Sequence, residues 1–138
     1  MRFLVQVGLV AFGSAIGGLL RWGVTVFAAR LLGTGFPWGT FFINLSGSLF
    51  LGWFSAVLAN RLVLSETSWL RPDDLRLMIA VGFTGAYTTF STFEYETYQL
   101  VDLGSWWLAL ANVAGSVLAG FVGVLLGVAL ASLLFPRH

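Results

Sequence analysis

Between residues 82 and 93 the chain reads GFTGAYTTFSTF, two glycines, four threonines and a serine inside an otherwise apolar stretch. Hydroxyls at this density supply hydrogen-bond donors, and glycine with β-branched residues lowers helix propensity where they cluster. Phe90 and Phe93 are three apart, so on a helix they share a face. The rim of a phenyl ring is the positive end of its quadrupole and can face an anion. Such a pair also serves as ordinary core; Thr89, Ser91 and Thr92, which set donors beside the rings, point to the anion. Asn44 lies between Ile43 and Leu45 in another apolar run. Its amide can donate two hydrogen bonds to an anion, or it can tie two helices together. Arg21 either pairs with carbonyls or an anion, or caps helix ends and snorkels to an interface. These groups suit the holding of a small anion. For bond chemistry the chain has little: the one histidine is the terminal His138, and no paired acid/base or Ser/His arrangement occurs. Cysteine is absent, which excludes disulfides and thiolate metal sites, and there is no GxxxxGK[ST] phosphate loop.

The elements that must position these groups are membrane helices. Hydrophobic residues make up 58% of the 138 and charged residues only 9%, against about 25% in a soluble domain. Mean hydropathy is +0.90. So few charges cannot cover so much apolar surface in water, and the solvent must be largely lipid. A net charge of +1 gives no reason to expect nucleic acid or an acidic partner. A membrane helix needs about 20 mostly apolar residues. Four stretches qualify, roughly 3–32, 38–60, 75–101 and 106–135, and the third has a break near 84–90. The whole of 1–138 reads as a single transmembrane domain. The first apolar run lacks a cleavage site and is read as a retained membrane helix. Residues Gly33–Pro37 and Gly104 punctuate the short connections, while Arg61–Asp74, with Pro72, reads as an aqueous loop.

Irregular backbone at membrane depth is tolerated only where it is buried in protein or lines a wet cavity, and half-helices meeting there aim free carbonyls and amides at an ion. The competing reading is a continuous helix whose threonines bond back to their own carbonyls. Trp38, Trp69, Trp106 and Trp107 mark interfaces, and Gly13/Gly17, Gly47/Gly52, Gly115/Gly120 and Gly123/Gly127 have the spacing of close helix packing. Arg2, Arg61, Arg71, Arg76 and Arg137 fall on the side of both termini and Arg30 on the other, which puts the termini in the cytoplasm.

The stretches GGLLR (Gly17–Arg21), GTFFINLSGS (Gly39–Ser48) and above all GFTGAYTTFSTFEYE (Gly82–Glu96) resemble the CrcB/Fluc family of small fluoride channels, over essentially the whole chain. The resemblance implies an all-α membrane protein of four transmembrane helices per subunit, in the cell inner membrane. Two copies would be inverted relative to each other as an antiparallel homodimer. It implies that Asn44, Phe90, Phe93, Thr89, Ser91, Thr92 and Ser116 line the fluoride pathway. The carbonyls of Gly85 and Thr88, two from each copy, would hold one structural sodium ion (Na+). Arg21 and Thr40 would lie at the vestibule and dimer contacts. The chain departs from the family pattern in three ways. Gly85–Ala86 stands where a glycine pair is common, which alanine tolerates if its φ is negative. Gly120 stands where the fourth helix is expected to be polar, leaving Tyr87 or Asn112 to complete the track. The arginine bias sits against balanced ends. The rival classes are a small four-helix proton-coupled multidrug exporter, which needs a mid-membrane acid, and a structural subunit of a larger complex. Glu94 and Glu96, past the break, read as interfacial or vestibular.

Overall fold

The computed structural model describes residues 2–60 and 71–135; Arg61, Trp69, Arg137 and His138 lie outside the described residues. Among the described residues, three uninterrupted helices are long and apolar enough to cross a membrane: α1 (Arg2–Leu32), α2 (Trp38–Asn60) and α6 (Trp106–Leu134). Each is predominantly apolar along its length, the mark of a helix surrounded by lipid and protein rather than water. Between α2 and α6 the chain crosses in pieces: one α-turn, α3 (Pro72–Leu75); a π-wound stretch, π1 (Arg76–Thr84); α4 (Gly85–Tyr87); and α5 (Phe90–Asp102).

The ends are set by local chemistry. Gly33 (φ 77°) follows α1 and donates to the Ala29 carbonyl at 3.1 Å. Gly104 (φ 71°) follows α5, with Gly104 N bonded to Val101 O and Ser105 N to Leu100 O, the paired closure of a Schellman turn. Both positions need the left-handed backbone that glycine adopts without a Cβ penalty. Pro72, expected within a loop, instead opens α3 at a first-turn position where its missing N–H is not needed. The buried Asp74 carboxylate reaches back to the Arg71 amide at 3.1 Å and pairs with Arg2 at 3.6 Å. That bridge joins the start of α1 to the start of the third crossing, so Arg2, Arg71 and Arg76 gather at one end of the bundle.

Glycines decide how the helices meet. Gly13 and Gly17 on α1 lie against the backbone of Met78 and Phe83, and Gly82 on π1 lies against Val10 of α1. Gly52, Gly123 and Gly127 do the same for α2 and α6, against Val124, Leu45 and Leu49 respectively. Such close approach maximises dispersion and backbone contact where lipid removes the hydrophobic drive between helices. Gly47 faces Tyr87 and Thr88 instead, while Gly115 and Gly120 meet only side chains, at 3.9 Å and 3.5 Å. A side chain at Gly127 would collide with the Leu49 carbonyl, so Gly127→Leu is expected to destabilise the protein by about 1–3 kcal/mol. Gly115→Ala should be close to neutral; thermal melts of the two variants in detergent check the contrast.

Candidate functional site

The third crossing is interrupted by two residues. Thr88 (φ −76°, ψ 158°) and Thr89 (φ −150°, ψ 120°) are extended, with helix on either side. Local bonds account for both edges. Thr88 folds back, its amide and its hydroxyl each donating to the Thr84 carbonyl at 2.9 Å. Thr89 caps α5: its hydroxyl oxygen accepts the Thr92 amide at 3.3 Å and donates to the Thr92 hydroxyl at 2.9 Å. Thr84 donates its hydroxyl to Ile79, five residues back, which fits the wide turns of π1.

Asn44 of α2 spans the gap. Its Oδ1 accepts the Thr89 amide at 2.9 Å and its Nδ2 donates to the Thr89 carbonyl at 3.1 Å. One side chain therefore stands in for a missing turn of backbone pairing. The Thr89 amide is the donor that a continuous helix would send to the Gly85 carbonyl, and the Thr92 amide would likewise serve Thr88. Both amides are committed elsewhere, so Gly85 and Thr88 lose their helical donors. Gly85 is also exposed and open, with nothing nearer than the Ala80 carbonyl at 3.9 Å to a Cβ placed there. Ala86 beside it has the negative φ that alanine requires.

Asn44, Thr88, Thr89 and Phe90 line one cavity of about 230 Å³ with Gly47, Ser48, Leu51 and Thr84. Asn44 has committed one of its two N–H donors to Thr89, so one remains for another acceptor, rather than the two its type allows. The Thr92 hydroxyl accepts from Thr89, which leaves its own proton to give. Phe90 and Phe93 lie with ring centroids 6.0 Å apart, yet their environments differ: Phe90 is 75% exposed and Phe93 6%. Ser91 and Thr92 are exposed beside Phe90.

Ser116 lies elsewhere, in a chain of polar groups between α6 and α5. Its hydroxyl donates to Asn112 Oδ1 at 3.3 Å, Asn112 Nδ2 donates to Thr97 Oγ1 at 2.8 Å, and Thr97 donates to the Phe93 carbonyl at 2.8 Å. Asn112, fully buried, joins this track; Tyr87 does not, its hydroxyl instead meeting Ser46 of α2 at 2.9 Å. Sequence reading passed over Thr97, although its spacing of four from Phe93 and eight from Thr89 placed it on their face. Thr40 is buried next to the Glu96 carboxyl group, whose Oε2 is buried without a hydrogen-bond partner. Glu96 borders a second, larger cavity of about 590 Å³ with Gly39, Gln99 and the Gly33–Trp38 connection. Arg21 is half-buried on α1, and among the described residues its guanidinium pairs with no carboxylate.

A small helical membrane protein with hydroxyl and amide donors, ring edges and unpaired carbonyls at a mid-chain break has the build of an ion-handling protein. The family model described as CrcB-like protein, Camphor Resistance (CrcB), matches residues 8–128, and the chain belongs to this family. It is 43% identical over 121 residues to a protein of Chloroflexus aurantiacus named fluoride-specific ion channel FluC, covering 88% of this chain and 90% of that one. A protein of the same name from Roseiflexus sp. is 40% identical over 91% of this chain and 95% of its own length. Another from Magnetococcus marinus is 39% identical over 89% and 98%.

Proposed function

We propose that this chain is a fluoride channel that lets the ion leave the cytoplasm passively, down its gradient. It is a channel and not an enzyme, seated in the membrane through all four crossings. The relatives' names support the substrate; the chain's own support is the gathering of donors at the break. Within one turn of it lie the free Asn44 N–H, the Thr92 hydroxyl and the Phe90 and Phe93 rings. Fluoride is small and strongly hydrated, so a pore must replace its water with strong donors in a narrow path. Chloride is too large to use the same path, and selectivity rests on size and donor field strength.

The working unit in this reading is a homodimer of inverted copies in the cell inner membrane. Phe90, Ser91, Thr92 and Gly85 are all exposed on one protomer. Hydroxyls and unpaired carbonyls facing hydrocarbon would each be costly, so a second copy is the economical cover. The Gly85 and Thr88 carbonyls fit a sodium ion, since each is a hard oxygen donor freed from its helix and Gly85 lies open to approach. Bound between two copies, sodium would supply a fixed positive charge in a low-dielectric region and join the two breaks. The remaining work falls to Asn44, Thr89, Ser91, Thr92, Ser116, Phe90 and Phe93 along the pathway, with Arg21 and Thr40 at the vestibule and dimer contacts.

The test is efflux from liposomes loaded with equal fluoride and chloride, read with ion-selective electrodes. Fluoride should leave without a proton gradient while chloride stays, in fractions that run as dimers. Proton-driven uptake of an organic cation with no fluoride efflux would instead support the exporter reading. That reading is already short of its acid: α1 carries no acidic residue.

A further inference from the structure

The short helix α5 is cut off from its first half by the extended Thr88–Thr89 pair, so something other than the helix must set its rotation. Thr89, Phe93 and Thr97 are at i, i+4 and i+8, on one face. At the first of these Asn44 of α2 holds the backbone of Thr89 with two bonds. At the last, Asn112 of α6 holds the Thr97 hydroxyl at 2.8 Å. Phe93 lies midway, 6% exposed, while Phe90 one turn earlier is 75% exposed.

In this arrangement each bond of the second tie runs one way. The Phe93 carbonyl can only accept, so the Thr97 proton goes to it. Thr97 Oγ1 then accepts from Asn112 Nδ2, and Asn112 Oδ1 accepts from the Ser116 hydroxyl. The Ser116 proton goes to Asn112 Oδ1 through the longest of the three bonds, at 3.3 Å. Asn112 has 0% exposure, so it reaches no ion directly in this arrangement.

We infer that Asn112, acting through Thr97, is a positioning residue: the second of two amide ties that fix the rotation of α5, and so the aim of Phe90 and Phe93. The inference rests on the fluoride-channel reading. A hydrophobic α6 would pack equally well against α5 but leave its rotation to packing alone. The specific amide–hydroxyl bond selects one rotation among several with similar packing.

The experiment compares Thr97→Val, Thr97→Ser, Asn112→Leu and the double variant Thr97→Val/Asn112→Leu in the fluoride efflux assay, with assembly followed by size-exclusion chromatography. Thr97→Val keeps the shape and removes the hydroxyl; it should lower fluoride flux about tenfold, the rate equivalent of one net hydrogen bond, in intact dimers. Thr97→Ser keeps the hydroxyl and should restore wild-type flux. The double variant should conduct no worse than the poorer single one, because both break the same tie. If Asn112→Leu does not assemble, the Thr97 pair decides. Wild-type flux in Thr97→Val, or a loss in Thr97→Ser equal to that in Thr97→Val, overturns the inference while wild-type conduction keeps the channel reading standing. Absence of fluoride efflux from the wild-type protein would instead overturn the channel reading itself.

Discussion

Asn44→Asp is expected to remove fluoride flux from correctly assembled protein. In the native site the amide faces Thr89 with one donor and one acceptor, matched to the carbonyl and the amide of the same residue. A carboxylate keeps the acceptor, so the Thr89 amide stays bonded. It loses both donors, leaving the Thr89 carbonyl without its partner and the pathway without its free N–H. It also sets a negative charge beside the cavity that Asn44 lines with Thr88 and Phe90. Two like charges about 4 Å apart at an effective dielectric constant near 20 repel by about 4 kcal/mol, roughly a thousandfold in rate. The unpaired carbonyl costs a further ~1–3 kcal/mol of stability. Dimer yield should therefore fall modestly and flux almost completely, and flux per dimer is the quantity to measure. Near-native flux per dimer would show that Asn44 is a structural clamp alone.

Replacement of the two phenylalanines separates ring edge from bulk. Phe90 is largely exposed on the protomer, so Phe90→Ile removes little packing within one copy. Phe93 is buried, and Phe93→Ile should cost ~1–2 kcal/mol through its change of shape. Were both rings only apolar filling, flux per dimer would survive either change. With ring edges facing the ion, isoleucine keeps the path apolar but removes the quadrupole, and flux should fall about 10- to 100-fold in each. Methionine, whose thioether is polarizable, should recover part of the loss where isoleucine does not. Efflux assays on dimers collected by size exclusion check both, and the Phe90 variant is the cleaner because its stability changes least.

The parts of the fold that local chemistry controls could be read from the sequence. The glycines at Gly33 and Gly104 ended helices because those turns need a positive φ, and the crowd of hydroxyls marked the break because β-branched and glycine residues weaken a helix there. Narrowing the break to Thr88–Thr89 needed the structure. Gly85, Ala86 and Tyr87 remain helical, since the Thr84 carbonyl still collects both donors of Thr88. The wide winding of π1 left no local signal; that stretch lies against the small residues Gly13 and Gly17 of α1, a neighbour no window of sequence contains. Asn44 was recognisable as a costly amide, but its partner lies 45 positions away and is backbone, which has no residue type to notice. Tyr87 turned toward Ser46 because it lies on the face of α4 that meets α2, whereas Asn112 faces α5. Thr97 is one of two threonines in a helix with several polar residues; its spacing puts it on the face of Phe93, but its contact with Asn112 is visible only in the structure.

The central claim, that fluoride itself is the conducted ion, is tested most directly by the zero-current voltage of the purified dimer in a planar bilayer with opposed fluoride and chloride gradients. The account predicts a voltage that follows the fluoride gradient, about 59 mV for each tenfold ratio, and does not move when chloride or proton gradients are changed. A zero-current voltage that tracks chloride or protons, or no fluoride current from intact dimers, would contradict it.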